Sequence, residues 1–202
     1  MFRSRIDPAN VRKILVITLS NIGDVIVSFL ILDILKSEFQ NAKLSVVAGP
    51  KGESILRGNP QLDKVFVFDK HQPLGKTIGL VGELRRERFD LILDLRNTAI
   101  PLLVGCRYRA SLFMRNSKIM HMRLRHLDRL RSVVDFKDRE YPKIGLHISA
   151  EDKRIAVDMI RDTVGEGKRF IVVCPSAADH RKRWSEEGFA RLAERLMEAY
   201  SV

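Results

Sequence analysis

The sequence predicts a doubly wound α/β domain built on a parallel sheet, followed by the beginning of a second α/β domain. Three observations lead there. Short runs rich in β-branched residues recur along the chain, each apolar on both faces, as a strand buried on both sides of a sheet must be. Stretches with helical apolar spacing separate these runs. The unit that opens the chain, an apolar strand, a polar turn and a helix, returns after a charged stretch at 135–145.

Ile14 to Leu19 is the first strand. Ser20-Asn21-Ile22-Gly23-Asp24 breaks it, and Gly23 suits a tight turn because it tolerates backbone angles that are costly elsewhere. A helix is expected from Val25, with Ile26, Phe29, Leu30, Ile34 and Leu35 on one side and Asp33, Lys36 and Glu38 largely on the other. Lys43 to Ala48 is the second strand. A Gly49-Pro50 turn follows, then a short helix from Glu53 to Arg57, stopped by Gly58-Asn59-Pro60. Lys64 to Phe68 is the third strand. The helix Thr77 to Arg88 carries Arg85, Arg86 and Arg88 at its C-terminal end, where cations oppose the helix dipole. Phe89 to Leu95 is the fourth strand, Arg96-Asn97-Thr98 the turn beyond it, and Ile100 to Val104 a helical segment with Pro101 near its start. A shorter fifth strand is expected at Ala110 to Met114.

The domain boundaries read as 1–136 for the first domain, 137–145 for a linker and 146–202 for the start of the second. Leu146 to Ile148 suits a short strand, and Glu151 to Val164 a helix that Gly165 and Gly167 end. Arg169 to Cys174 is again a buried type of strand, followed by a polar turn and a helix from Glu186 to Tyr200. Such a unit needs further strands to bury its faces, so the second domain reads as cut short.

The chain has 202 residues, 45% hydrophobic and 30% charged, an ordinary balance for a protein that buries a core. No apolar stretch reaches the roughly 20 residues that span a bilayer. The N-terminal residues lack the apolar segment of a secretory signal, so a cytoplasmic protein is expected. Cys106 and Cys174 stand far apart in apolar surroundings and read as reduced, buried thiols. No spacing of His, Cys or paired carboxylates suggests a metal, and none is expected. The glycine patterns of dinucleotide and P-loop sites are absent, which disfavours those chemistries.

A net charge of +11 bears on partners: nucleic acid, an anionic membrane surface or a phosphorylated substrate. The most basic stretch runs from Arg107 to Arg131 and includes Arg107, Arg109, Arg115, Lys118, Arg123, Arg125 and Arg129, with His121 and His126. It reads either as a solvated loop and helix face or as a docking surface for phosphates or anionic lipid, since Arg pairs well with phosphate. Few aromatic residues interrupt it to stack on bases, so nucleic acid is the weaker partner.

In open α/β sheets ligands bind beyond the carboxyl ends of the strands. Asp24 sits there with two readings. One is a helix N-cap. The other is a carboxylate at the mouth of a cleft, acting as a general base.

The segments ILVITLSNIGDVIVSFLILDIL, GNPQLDKVFVFD and RFDLILDL resemble the N-terminal domain of the heptosyltransferases of lipopolysaccharide core assembly, which form glycosyltransferase family 9 and have the GT-B fold. The later IVVCPSAADHRKRWSEEGFARLAERL resembles the start of that family's C-terminal domain. The resemblance implies inverting transfer of a heptose from an ADP-sugar to a hydroxyl of the growing core, with Asp24 as the general base. Ser20, Asn21 and Gly23 would shape the acceptor side. Lys182 and Arg183, before Trp184, would face the donor phosphates together with the backbone at Ser176 and Ala177; Trp184 itself would pack rather than bind. The basic stretch would suit an acidic acceptor at the inner face of the cytoplasmic membrane. Many members have Pro where this chain has Phe29 and Ser185, and the family's later nucleotide-site motifs would lie past Val202. Residues 1–202 alone are therefore expected to transfer sugar poorly or not at all. The alternatives are a non-catalytic basic module that binds anionic lipid or nucleic acid, and a GT-B transferase with another nucleotide-sugar donor.

Overall fold

A computed structural model describes residues 6–18, 20–110, 121–137, 139–141, 145–177 and 179–200. The chain forms two compact units, Met1–His147 and Ile148–Val202.

The first unit is a five-stranded parallel sheet in the order β3-β2-β1-β4-β5. Its strands are β1 (Lys13–Ile17), β2 (Lys43–Ala48), β3 (Lys64–Val67), β4 (Leu91–Asp94) and β5 (Tyr108–Arg109). β1 is central, and Ile17 pairs with Val47 on one side and Asp94 on the other. Side chains alternate across a strand, so β1 feeds two cores. Ile14 and Val16 join the layer of α1 (Ile22–Glu38), α2 (Pro50–Leu56) and α5 (Met122–Arg131). Leu15 and Ile17 join the opposite layer, with Leu80 and Leu84 of α3 (Leu74–Glu87) and Ile100 and Val104 of α4 (Ile100–Val104). This is the doubly wound arrangement that the strand and helix periodicities predict.

Several elements differ from the sequence reading. α1 begins at Ile22, so Gly23 lies within its first turn and not in a tight turn; a Cβ there would meet nothing within 4 Å. Asn21 occupies the N-cap position, which excludes Asp24 from that role. α1 has no polar outer side at Asp33, which is buried. α5 packs on α1, and its Leu130, with Val134 just past its end, joins the same core. The fifth strand lies at Tyr108–Arg109, ahead of the expected Ala110 to Met114, of which 111–114 fall outside the described residues. The stretch expected as a linker is tied to α1. Arg139 pairs with Glu38 at 3.2 Å, and the Tyr141 hydroxyl donates to the Glu38 carboxylate at 3.1 Å.

The second unit holds α6 (Ala150–Val164) and α7 (Glu186–Tyr200). Ser149 and Asp152 form a reciprocal capping box that starts α6. Ser185 Oγ accepts from Gly188 N at 3.1 Å and caps α7, a task its hydroxyl performs where Pro has none to offer. Neither Arg169–Cys174 nor Leu146–Ile148 forms a strand among the described residues. An extended segment becomes a strand only with a partner, and the described residues of Ile148–Val202 supply none. Cys174 is accordingly exposed rather than buried, while Cys106 is half-buried, its thiol pushed up by burial against the pull of Arg109.

Candidate functional site

The carboxyl ends of β1 and β4 lie side by side, and the chain leaving each builds the site. After β1, Thr18 N donates to Val47 O, and the buried Thr18 hydroxyl donates to Ser28 Oγ at 3.0 Å. Ser28 in turn donates to Val25 O at 2.6 Å, so two hydroxyls fix the start of α1 to the strand. Ser20 is held by its neighbour: a Cβ at Gly49 would come within 2.8 Å of Ser20 Cα and Cβ. Gly49 is therefore required for close approach, with no unusual φ involved. Asn21 opens α1, and its Nδ2 donates to Asp24 Oδ2 at 3.2 Å. Asp24 is half-buried in the first turn, where the positive end of the helix dipole favours a carboxylate.

After β4, Asp94 is 1% exposed and organises the turn. Its Oδ1 accepts from Arg96 N at 2.8 Å. Its Oδ2 accepts from Thr98 N at 2.5 Å and from Thr98 Oγ1 at 2.8 Å. Asn97 takes a left-handed conformation, φ 64°, which Asn tolerates better than most residues. Arg96 lays its guanidinium 5.6 Å from the Phe68 ring centre, and its buried Nη1 has no hydrogen-bond partner among the described residues.

The third contributor is α5. Of the basic residues in this region, Arg107, Arg109, Arg123 and Arg125 are exposed. His126 and Arg129 are not: they are 2% and 8% exposed. Burial pushes the His126 imidazole down to about 4; the Asp24 carboxylate opposes this, and the Arg125 and Arg129 charges add to it. Burial also lowers Arg129, opposed by Asp94. The charge of Asp24 thus acts on His126, and that of Asp94 on Arg129. Arg115 and Lys118 lie outside the described residues.

The other predicted site residues belong to the second unit. Lys182 closes a short 3-10 turn, His180–Lys182, which Asp179 caps. Arg183 Nε donates to Ala177 O at 2.6 Å, which folds the segment 177–183 back on itself. Ser176 and Lys182 are exposed. Trp184 packs on its own helix, edge to face with Phe189 at 5.2 Å and so close over Gly188 that a Cβ there would strike the ring. Exposed cations beside exposed backbone can hold a phosphate.

A cavity of about 770 Å³ lined by Pro8, Val11, Arg12, Phe39 and Lys43 opens at the opposite, amino edge of the sheet. Ligand sites of open α/β sheets lie at the carboxyl edge. Among the described residues no three His, Cys, Asp or Glu side chains converge as metal ligands would, and no helix is long and apolar enough to cross a membrane.

The sequence profile of glycosyltransferase family 9 (heptosyltransferase) matches residues 78–202, well over half of the chain. The chain belongs to glycosyltransferase family 9. A relative, lipopolysaccharide heptosyltransferase 1 of Campylobacter coli, is 27% identical over 94 residues, which is 46% of this chain and 28% of that protein. The family 9 glycosyl transferase of Veillonella parvula superposes with a TM-score of 0.76 at 18% identity, covering 98% of this chain and 62% of that one. The ADP-heptose lipopolysaccharide heptosyltransferase II of E. coli superposes with a TM-score of 0.69 at 20% identity, covering 93% and 62%. The fold is thus that of the GT-B heptosyltransferases, and this family 9 chain spans about three-fifths of the length of those solved structures.

Ser20, Asn21 and Asp24 stand together beyond β1, on the stretch where the sequence reading puts them. That reading gave no site role to Gly49, which it placed in a turn, or to Asp94, and it counted His126 and Arg129 only as members of the basic stretch. The Gly-Pro dipeptide and the Asp-x-Arg-Asn-Thr turn carried signals for the first two. The last two stand three residues apart beside Leu127 and Leu130, a helical spacing hidden inside a basic run.

Proposed function

We propose that this family 9 chain transfers a heptose-type sugar from an ADP-sugar to a lipopolysaccharide core acceptor, with inversion and with Asp24 as general base. The observation that carries the reading is the position of Asp24. It is a half-buried carboxylate in the first turn of α1, at the carboxyl edge of the sheet, fixed by Asn21 and by the Thr18–Ser28 link. Family membership and the ADP-heptose named for the E. coli neighbour support the donor class.

In the step itself, Asp24 takes the proton of the acceptor hydroxyl as its oxygen attacks the anomeric carbon. The bond from that carbon to the diphosphate oxygen breaks, and ADP departs with the electron pair. Lys182 and Arg183, with the backbone at Ser176 and Ala177, stabilise the charge that grows on the diphosphate. The reading gives no step to a metal ion. Ser20, Asn21 and Gly23 line the acceptor side, where the exposed Gly23 leaves room for a sugar close to the helix start. The exposed Arg107, Arg109, Arg123 and Arg125 face an acidic acceptor or the anionic inner surface of the cytoplasmic membrane, with Arg115 and Lys118 assigned to the same role.

The test is Asp24→Asn in the native polypeptide from its source, assayed with ADP-heptose and a lipopolysaccharide core acceptor. A loss of about 10²- to 10⁴-fold in kcat with the donor Kd unchanged is expected. A variant within twofold of wild type removes Asp24 from the chemistry, and a panel of other nucleotide sugars checks the donor.

A further inference from the structure

α3 has two sides. Leu80 and Leu84 join the core against the sheet. On the outward side, Leu74 and Ile78 are 75% and 64% exposed; four residues apart, they are neighbours on the helix surface. Gly75 and Gly82 flank Ile78, three residues before it and four after, so no side chain shades it there. α4 packs on α3, where Arg85 Nε donates to Leu103 O at 2.6 Å, and it adds Leu102 and Leu103, both about half exposed. An apolar residue exposed singly is ordinary. Four on two packed elements make a patch, and such a patch marks a surface that meets something.

The charges around the patch select the occupant. Lys76, Arg85 and Arg86 are exposed on α3. The two acids of α3 act elsewhere: Glu87 pairs with Lys13 and Lys64 at the amino edge of the sheet, and Glu83 acts on the charge of Lys64. The rim of the patch is therefore cationic. Two such rims repel, which works against a second copy of this chain. An apolar centre with a cationic rim suits an anionic bilayer, where acyl chains lie beneath acidic headgroups.

We propose that the α3–α4 face is the surface by which this chain docks on an anionic bilayer. The four apolar side chains enter the boundary between headgroups and acyl chains, and Lys76, Arg85 and Arg86 pair with headgroup phosphates. The proposal rests on the reading that the chain works at a membrane and names the surface that meets it. This surface belongs to the layer opposite α1 and α5. Leu74 opens α3 past the carboxyl end of β3, so docking brings the bilayer beside the edge that holds Asp24 and leaves the α1 layer free.

The test is co-sedimentation of the 202-residue chain with vesicles of phosphatidylglycerol and phosphatidylcholine, and with vesicles of phosphatidylcholine alone, over a series of salt concentrations. Wild type should bind the mixed vesicles and leave the neutral ones in the supernatant. Leu74→Ser with Ile78→Ser keeps the fold, because both side chains are exposed, and should weaken binding about tenfold or more, the least that burying one aliphatic side chain contributes. Lys76→Gln with Arg86→Gln should weaken it too and flatten its salt dependence. Arg123→Gln with Arg125→Gln on α5 should cost less than either pair. Ile78→Trp in a Trp184→Phe background gives a second measurement: its emission should move to the blue on the mixed vesicles, as an indole leaving water does. No binding of wild type to the mixed vesicles, unchanged binding by the serine pair, an indole that stays in water, or a larger loss from the α5 pair overturns the proposal. So does a wild type that is dimeric without vesicles when the serine pair is monomeric, which assigns the patch to a second copy. No sugar or nucleotide enters the assay. A failed docking leaves the Asp24→Asn transfer result to stand by itself, and an active Asp24→Asn variant leaves the docking result to stand by itself.

Discussion

At the scale of residues, His126 is the group whose titration should be visible in stability. Its folded pKa, about 4, lies below the unfolded value near 6.5. Between those values the unfolded chain binds a proton that the folded chain does not. The contribution of His126 is therefore complete above about pH 6.5 and is lost as pH falls towards 4, up to roughly 3 kcal/mol in all. The groups that face it, Asp24 on α1 and Arg125 and Arg129 on α5, act in opposite directions and leave burial as the dominant cause. His126→Leu should flatten the stability profile between pH 6.5 and 4 relative to wild type, as read by urea unfolding at a series of pH values. Parallel profiles for the two proteins would mean that the imidazole titrates normally in the fold.

At the scale of elements, the site depends on how closely two turns approach. A Cβ at Gly49 would press on the backbone and side chain of Ser20, so either β2 or the β1–α1 turn must shift. Gly49→Ala should cost about 1–3 kcal/mol and lower turnover as well, because Asp24 follows that turn closely in the chain. Gly79 makes the control. It is exposed inside α3, where an added methyl would meet nothing within 4 Å, so Gly79→Ala should gain about 0.5–1 kcal/mol through helix propensity. Thermal melts of both variants decide the matter, and equal melting temperatures would remove the close-approach argument. The strands and helices of the first unit were legible in the sequence because each is long enough to show its period, from the apolar runs of β1 and β4 to the spacing in α3. What the sequence hid was which helices acquire a second cover. α1 shows polar residues at Asp33 and Lys36, but Asp33 is buried and α5 packs on the same helix. The same packing turned two members of a basic run inward. Gly23 misled for the opposite reason: a Gly-Asp pair suits a turn, yet the helix starts one residue before it and absorbs both.

At the scale of the whole molecule, the two units bury their apolar residues very differently. The first has two cores, one on each face of its sheet, in which Ile14, Leu15, Ile17, Leu32 and Leu91 are all fully buried. In the second, Ile155, Val157, Met159, Phe170, Ile171 and Trp184 are exposed, and Val172 is 74% exposed. Gly188 is the only buried residue among those described there. A groove of about 340 Å³ between the extended segment and α7, lined by Val164, Phe170, Ile171, Leu196 and Met197, shows how loosely these elements meet. Isolated helices of 15 residues are marginal in water even with good caps, so the caps of α6 and α7 cannot hold the unit by themselves. Residues 1–147 should therefore melt as one cooperative transition with dispersed amide resonances, whereas 148–202 alone should show weak helical circular dichroism and a sloping, non-cooperative melt. In the 202-residue chain, limited proteolysis should cut first within 165–185, where the described residues belong to no sheet and to no α-helix. Cooperative melting of the isolated 148–202 segment, or first cleavage within the β1–β4 region, would show that stability is distributed along the chain in a way that buried apolar surface does not explain.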